Sequence, residues 1–151
     1  MLIFFIPLGN QSNASMLNVS KTNSFKKIIM KTSTLDLWNL KNNQKPDFIK
    51  CDTEGSELLV FRGGINMITK YTPMIYTELL RKWSQPYNYK PNDVINFFKK
   101  LGYSCYAIGK RRTKLIQKVD DVTVETNFIF LHTKIHSKVI NKLVDLNCCR
   151  N

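Results

Sequence analysis

Apolar residues form several short runs along the chain. In other stretches, single apolar residues recur every three or four positions. Short apolar runs bounded by polar residues predict strands. The predicted strands cover residues 1–7, 28–30, 48–51, 74–80, 103–108 and 127–132. Helical spacing predicts helices at residues 34–40, 58–68, 93–100 and 137–146. Gly63 and Gly64 should weaken or break the second of these helices.

The order of these elements predicts the fold class. Strands and helices alternate from residue 48 onwards with short connections, which is typical of an α/β fold with a mostly parallel sheet. A basic loop joins the last two strands without a clear helix, so we expect these two to pair antiparallel. Because no repeat or low-complexity linker divides the 151 residues, we treat 1–151 as a single domain.

Charge is spread unevenly along the chain. There are 23 Lys and Arg residues against 11 Asp and Glu, a formal net charge of +12. Six of the acids lie in residues 47–100, whereas each end of the chain is net basic. The densest basic cluster consists of Lys110, Arg111, Arg112, Lys114 and Lys118. We interpret this cluster as a solvated loop, and because no RRM, KH or zinc-finger pattern is present, we expect no nucleic-acid partner.

Compartment and metal content follow from the apolar runs and the cysteines. No apolar run approaches the roughly 20 residues of a membrane helix. Residues 1–8 lack a basic start and a cleavage site, so they predict a strand rather than an export signal. The four cysteines, Cys51, Cys105, Cys148 and Cys149, show no C-x-x-C or metal-ligand spacing. This favours a reducing, cytoplasmic location and no bound metal.

Carboxylates lie at the carboxyl ends of two of the predicted strands. Asp52, Thr53 and Glu54 come after the strand ending at Cys51, and Glu78 has the matching position on the next strand. Ligands of open α/β sheets bind at the carboxyl ends of the strands, where such groups can bind a ribose, amine or metal, or accept a proton. Alternatively, Asp52 caps the following helix while Glu54 and Glu57 interact with its dipole. Spacing alone leaves both interpretations open.

Residues 46–64, PDFIKCDTEGSELLVFRGG, resemble the signature of FkbM-type methyltransferases, a strand ending K-x-D-x-E-G-x-E followed by L-x-x-L-x-G. The matching residues are Lys50, Asp52, Glu54, Gly55, Glu57, Leu58, Phe61 and Gly63. Phe61 replaces the usual Leu, and Cys51 stands where Ile is common. Further similar motifs occur in the family's order at residues 34–36, 73–79, 101–103 and 126–128. The resemblance extends from about residue 34 to residue 132.

The resemblance implies a class I methyltransferase of Rossmann-like fold that uses S-adenosylmethionine. The family is associated with O-methylation of sugars, polysaccharides and polyketide-type hydroxyls, so we expect a glycan or another hydroxyl-bearing acceptor. By resemblance, Asp52, Glu54 and Glu78 are the expected catalytic residues. Asp52, Thr53 and Gly55 are the expected cofactor-binding residues, with Gly55 allowing a close backbone approach.

One part of the family pattern is missing. The glycine-rich turn D-x-G-A-x-x-G and the acidic residue that holds the ribose do not occur in these 151 residues. We therefore expect the chain to correspond to the C-terminal half of the fold, to expose apolar surface and to be inactive alone. The alternative is a non-catalytic remnant that retains the half-fold as an interaction protein. The sequence leaves the oligomeric state open.

Overall fold

A computed structural model describes residues 1–8, 14–19, 21, 23–110 and 112–148, with side chains up to residue 143. The strands are β1 (Leu2–Pro7), β2 (Phe25–Met30), β3 (Phe48–Cys51), β4 (Met74–Glu78), β5 (Tyr103–Ile108), β6 (Thr113–Ile116) and β7 (Asn127–His132). The helices are α1 (Leu35–Asn42), α2 (Glu57–Arg62), α3 (Ile65–Tyr71), α4 (Arg81–Ser84), α5 (Pro91–Lys100) and α6 (Ser137–Cys148), with a 3-10 turn at Gln85–Tyr87.

Five of these strands form one sheet in the order β3-β4-β7-β5-β6, and β1 pairs with β2 in a separate antiparallel hairpin. Within the five-stranded sheet only β3 and β4 pair in parallel. Strand β7 lies between β4 and β5 and runs antiparallel to both, so β3, β4 and β5 still point in the same direction. The carboxyl ends of β3 and β4 therefore meet at one edge of the sheet.

The prediction of a mostly parallel sheet was wrong, whereas the antiparallel pairing of the last two predicted strands is confirmed. The physical reason is the segment after β5. Residues 113–116, predicted as part of a basic loop, form β6 and fold back on β5 as an antiparallel hairpin. Because no crossover helix follows β6, β7 returns in the opposite direction and separates β4 from β5.

The predicted break at the paired glycines is confirmed, since α2 ends at Arg62 and α3 begins at Ile65. The N-terminus of α3 has no capping side chain of its own because Gly64 precedes it. Asp36 of α1 supplies the acceptors instead: its two carboxylate oxygens accept hydrogen bonds from the backbone N–H groups of Asn66 (3.1 Å) and Met67 (2.8 Å). A carboxylate from another helix thus caps α3 and holds α1 against it.

The core lies between the sheet and helices α2, α3 and α5. Its largest fully buried side chains are aromatic, and the Phe98 ring of α5 lies 4.8 Å from Phe61 and 4.4 Å from Phe130, centroid to centroid. Each such aromatic pair adds about 1 kcal/mol to the burial term. This packing fixes α2 and α5 on the sheet, and because the loop that follows β3 leads directly into α2, it also fixes the end of that loop.

Apolar side chains are exposed on β3, which forms one edge of the sheet, and on α1. Phe48 of β3 is 51% exposed, and Trp38 of α1, the helix that precedes β3 in the chain, is 47% exposed. Among the described strands, β3 pairs only with β4. Exposed apolar surface was expected from the sequence, and the described residues show it here. Among the residues that the structure describes, no helix is both long and apolar enough to cross a membrane.

Candidate functional site

The carboxylates predicted from the sequence lie together. In the parallel pair, Cys51 of β3 is opposite Thr77 of β4, so the residues that follow each strand emerge side by side. A narrow cleft forms there, lined by Asp52, Glu54, Gly55, Glu57, Glu78, Leu80 and Trp83. The fold therefore brings three acidic side chains of the predicted site, and Glu57 in addition, to one edge of the sheet.

Glu54 has the most unusual environment in this cleft. Its backbone is left-handed, with φ of 53°, which costs a non-glycine residue about 1 kcal/mol or more. Its Oε2 atom is buried and accepts no hydrogen bond from the described residues. Burial, together with the negative charges of Asp52, Glu78 and Glu57, raises the pKa of the Glu54 carboxyl from 4.5 to about 7, against the opposing effect of Lys82. Near neutral pH this carboxyl can both accept and release a proton.

Glu57, the first residue of α2, is buried beneath the loop that carries Glu54. Its Oε1 accepts hydrogen bonds from the backbone N–H groups of Thr53 (3.0 Å) and Gly55 (3.1 Å), and from the Thr53 hydroxyl (3.2 Å). The Tyr89 hydroxyl of the segment before α5 lies 3.0 Å from Glu57 Oε2 and 2.8 Å from the Gly55 carbonyl oxygen, and can donate to either. One buried carboxylate thus holds the whole loop.

The sequence interpretation of Glu57 as a dipole partner missed this role. The signal was present, because Glu57 is the last residue of the K-x-D-x-E-G-x-E pattern. What the pattern lacked was Tyr89, which lies 32 positions further along the chain. Thr53, expected to bind the cofactor, here donates both of its N–H and O–H groups to Glu57.

Asp52 does not cap α2, so that alternative was wrong. The N-cap of α2 is Ser56, whose side chain makes no capping hydrogen bond. The Asp52 carboxylate instead forms an ion pair with Lys50 at 3.1 Å, and both side chains are largely exposed. An exposed pair of this kind contributes little stability, so a ligand can replace Lys50 at little cost. The exposed Asp52 carboxylate is accessible to such a ligand.

Gly55 contacts α4 at very short range. Its φ is +101°, and a β-carbon added there would lie 2.2 Å from the carbonyl oxygen of Trp83. The predicted close backbone approach at Gly55 therefore occurs within the protein, between this loop and α4. It sets the distance between Glu54 and the residues of α4 that line the cleft.

Residues 2–105 match the family described as the methyltransferase FkbM domain. The chain belongs to the FkbM methyltransferase family. The matched range contains every residue of the cleft and ends within β5, so it begins and ends earlier than the range of 34 to 132 given by the short motifs. No curated protein and no solved structure matches this FkbM-family chain.

Two other features of the sequence can be placed on this FkbM-family chain. Among the described residues, no group of three or more His, Cys, Asp or Glu side chains is arranged to hold a metal ion. In the basic cluster, Lys114 pairs with Glu125 at 3.8 Å and Lys118 with Asp120 at 3.6 Å. Arg111 of that cluster lies outside the described residues.

Removing the Glu57 carboxylate should destabilise the protein. We expect Glu57→Ala to lower the free energy of unfolding by about 2 to 3 kcal/mol, because buried N–H groups of Thr53 and Gly55 lose their acceptor. Glu57→Gln keeps one oxygen and should lose roughly half as much. Urea denaturation measures both. Equal losses in the two variants would contradict this prediction, because glutamine keeps the size of the side chain and one acceptor oxygen for the N–H groups of Thr53 and Gly55.

The raised pKa of Glu54 predicts a pH-dependent stability. Because the folded state holds the proton more tightly, this stabilisation is complete below the unfolded pKa of 4.5 and is lost as the pH rises through the folded pKa of about 7. Glu54 is partly exposed, so solvent screening reduces the effect to on the order of 1 kcal/mol. Urea denaturation of wild type and Glu54→Gln, at about pH 4.5 and about pH 8, isolates it. The variant should gain stability relative to wild type at the higher pH, and a constant difference would contradict the prediction.

Proposed function

We propose that this protein transfers a methyl group from S-adenosylmethionine to a hydroxyl oxygen of a sugar, polysaccharide or related acceptor. Membership of the FkbM methyltransferase family supports methyl transfer. The observation that carries the proposal is Glu54 at the carboxyl end of β3, with a buried oxygen that no described residue bonds and a pKa of about 7. A carboxyl of this kind is suited to take a proton from an acceptor hydroxyl.

When bound, S-adenosylmethionine supplies an electrophilic methyl group, whose carbon forms a bond to the acceptor oxygen as its bond to sulfur breaks and the electron pair stays on sulfur. Ionised Glu54 accepts the proton that the hydroxyl loses, which makes the oxygen a better nucleophile. Glu57 holds the Glu54 loop in place through Thr53 and Gly55. Asp52 and Glu78 add negative charge at the cleft, and Trp83 and Leu80 give it apolar walls.

The charges of the described residues suit the charged end of this cofactor. A sulfonium is a cation, and Asp52, Glu54 and Glu78 line one cleft, where their charges favour a cation. Asp52 is the residue best placed to hold it, because its carboxylate is exposed beyond its ion pair with Lys50. No glycine-rich turn suited to the adenosine occurs in the described part of the chain.

We propose that further strands complete the adenosine site along the open edge of β3. A strand added there would end next to Asp52, where ligands of an open α/β sheet bind. The exposed Phe48 side chain of β3 gives such strands an apolar surface to cover. These strands belong either to a longer form of this chain or to a second chain. A reducing, cytoplasmic compartment suits the buried, unpaired thiols of Cys51 and Cys105, whose pKa values burial raises to about 12.

The test compares two samples of the protein. One is purified under mild conditions from its native source, together with any polypeptide that accompanies it, and the other is the 151-residue chain alone. We expect the native sample to bind S-adenosylmethionine in calorimetry and to transfer its tritiated methyl group to a glycan fraction of the same cells. We expect the isolated chain to bind the cofactor far more weakly.

The outcomes separate the two parts of the proposal. A native sample that neither binds the cofactor nor transfers its methyl group would overturn methyl transfer and favour a non-catalytic role for the half-fold. An isolated chain that binds S-adenosylmethionine as tightly as the native sample would overturn the need for further strands.

A further inference from the structure

A large groove opens beside the carboxylate cleft. Its volume is about 1000 Å³, within the range of small-molecule sites. Its walls are α4 with the 3-10 turn that follows it, the start of α5, and the segment before β7 at residues 119–121. Arg81 of α4 donates to the Asp120 carbonyl oxygen at 2.7 Å, and the Asn92 side chain of α5 binds both backbone groups of Val119. These bonds fix the spacing of the walls without a ligand, which lowers the ordering cost of binding.

The negative charges of the groove are already engaged. Three aspartates line it, namely Asp93, Asp120 and Asp121. The Asp121 carboxylate pairs with Arg81 at 3.0 Å, and that of Asp120 lies 3.6 Å from the ammonium nitrogen of Lys118. The Asp93 carboxylate accepts a hydrogen bond from the backbone N–H of Lys90 at 2.8 Å. Each aspartate therefore has a partner of its own and needs no charge from a ligand.

Two positive charges of the groove lack such partners. Lys82 and Lys90 both line it with exposed side chains, and neither forms an ion pair with any residue that the structure describes. The exposed amides of Gln85 and Asn88 add N–H donors to the same lining. An oxyanion accepts hydrogen bonds from both kinds of group and supplies the missing negative charge. We propose that the groove binds the acceptor by an anionic group, a phosphate or a carboxylate, which Lys82 and Lys90 hold.

Lys82 connects the groove to the cleft. Its ammonium nitrogen lies 5.3 Å from the centre of the Trp83 ring, and Trp83 lines the cleft that contains Glu54. The charge of Lys82 also acts on Glu54, since it opposes the rise in the pKa of that carboxyl. An acceptor whose anionic group binds Lys82 can therefore present a hydroxyl to Glu54. This step rests on the proposed function, in which Glu54 takes the hydroxyl proton.

The cleft and the groove favour opposite charges. Asp52, Glu54 and Glu78 line the cleft, where a cationic sulfonium is favoured. The charges without a partner in the groove are positive, so an anion is favoured there. The net charge of +12 on the whole chain further attracts an anion from a distance. A positive cofactor and a negative acceptor would thus bind next to each other without competing for the same side chains.

The test is an NMR titration of the isotope-labelled chain without cofactor, at constant ionic strength and in a buffer free of phosphate. The three probes all carry hydroxyls: glycerol phosphate adds a phosphate, glycerate adds a carboxylate, and glycerol is neutral. The chain has two tryptophans. The indole N–H of Trp83 reports on the groove, that of Trp38 on α1 is an internal control, and Trp38→Phe assigns the two resonances.

We expect at least one anionic probe to shift the Trp83 resonance, while glycerol at the same concentration leaves it in place. Tighter binding of glycerol phosphate would identify the anionic group as a phosphate, and tighter binding of glycerate would identify it as a carboxylate. No shift of Trp83 with either anionic probe, or an equal shift with glycerol, would overturn the proposal. An equal shift of Trp38 would also overturn it, because the effect would not be local.

Lysine variants test the position of the site. Lys82→Gln and Lys90→Gln should each weaken binding of the anionic probe roughly fivefold, as expected for the loss of one exposed ion pair. Lys100→Gln is the matched control, because it removes the same charge from the last turn of α5, outside the groove. It should bind the probe almost as wild type does. If both groove variants bind like Lys100→Gln, the anion is not held by these lysines and the proposal fails.

The site and the proposed function can fail separately. If an anionic probe binds the groove but the native sample shows no methyl transfer, the proposed function fails and the site stands. If methyl transfer occurs and neither Lys82→Gln nor Lys90→Gln raises KM for the acceptor, the site fails and the proposed function stands.

Discussion

Glu54→Gln is expected to lower kcat for methyl transfer about a thousandfold, because the amide cannot take the proton of the acceptor hydroxyl. The substitution preserves the size of the side chain, and the pH profile separates a proton acceptor from a merely structural group. In the wild type, kcat should rise with pH through an apparent pKa of about 7, the value to which burial and the neighbouring carboxylates raise Glu54. The residual kcat of the variant should not show this rise near pH 7.

Glu125→Gln is the matched control for that experiment. Glu125 is also a partly buried glutamate that lies beside a lysine. It is in the segment before β7, pairs with Lys114 of β6, and does not line the cleft. Its substitution should leave kcat and the pH profile unchanged. A Glu54→Gln variant with wild-type activity, or one whose kcat still rises with pH near pH 7, would contradict the role of Glu54 as the base.

Gly55→Ala is expected to lower the free energy of unfolding by about 4 kcal/mol. The new β-carbon would lie 2.2 Å from the backbone carbonyl oxygen of Trp83, and a φ of +101° strains any L side chain. A backbone carbonyl cannot rotate away as the end of a long side chain can, so the loop and α4 must separate. Urea denaturation measures the loss.

Gly63→Ala provides the control for this effect. Gly63 has an ordinary helical φ of −73°, and its added β-carbon would lie 3.3 Å from the Thr34 side chain. Its cost should stay below about 1 kcal/mol, because a small shift of that side chain relieves the contact. If the two alanine variants unfold at the same urea concentration, the close approach of Gly55 to Trp83 is not what determines stability.

Sequence patterns located most elements of this protein, because strand and helix periodicity is local. The predicted strands at 48–51, 103–108 and 127–132 are β3, β5 and β7 with unchanged bounds. Helix ends were less predictable. The helix predicted at residues 93–100 begins at Pro91, and the Asp93 carboxylate accepts a hydrogen bond from the Lys90 N–H at 2.8 Å.

Long-range partners were beyond prediction. Asp36 was part of a recognised motif, yet its capping of α3 requires α1 to lie against a helix that begins 29 positions later. Glu57 was likewise part of the signature, and its role depends on Tyr89. In both cases the residue type is visible in the sequence, while the partner is chosen by the packing of separate elements.

Local pattern and motif were thus sufficient for most of the elements, for the family, and for the grouping of Asp52, Glu54 and Glu78 at one edge of the sheet. Only the tertiary structure decided the strand order, the antiparallel insertion of β7, and the environment of Glu54. The reason is physical: hydrophobic period reports which face of an element is buried, but not which element covers it. Burial, hydrogen-bond partners and the pKa of Glu54 all depend on that second choice.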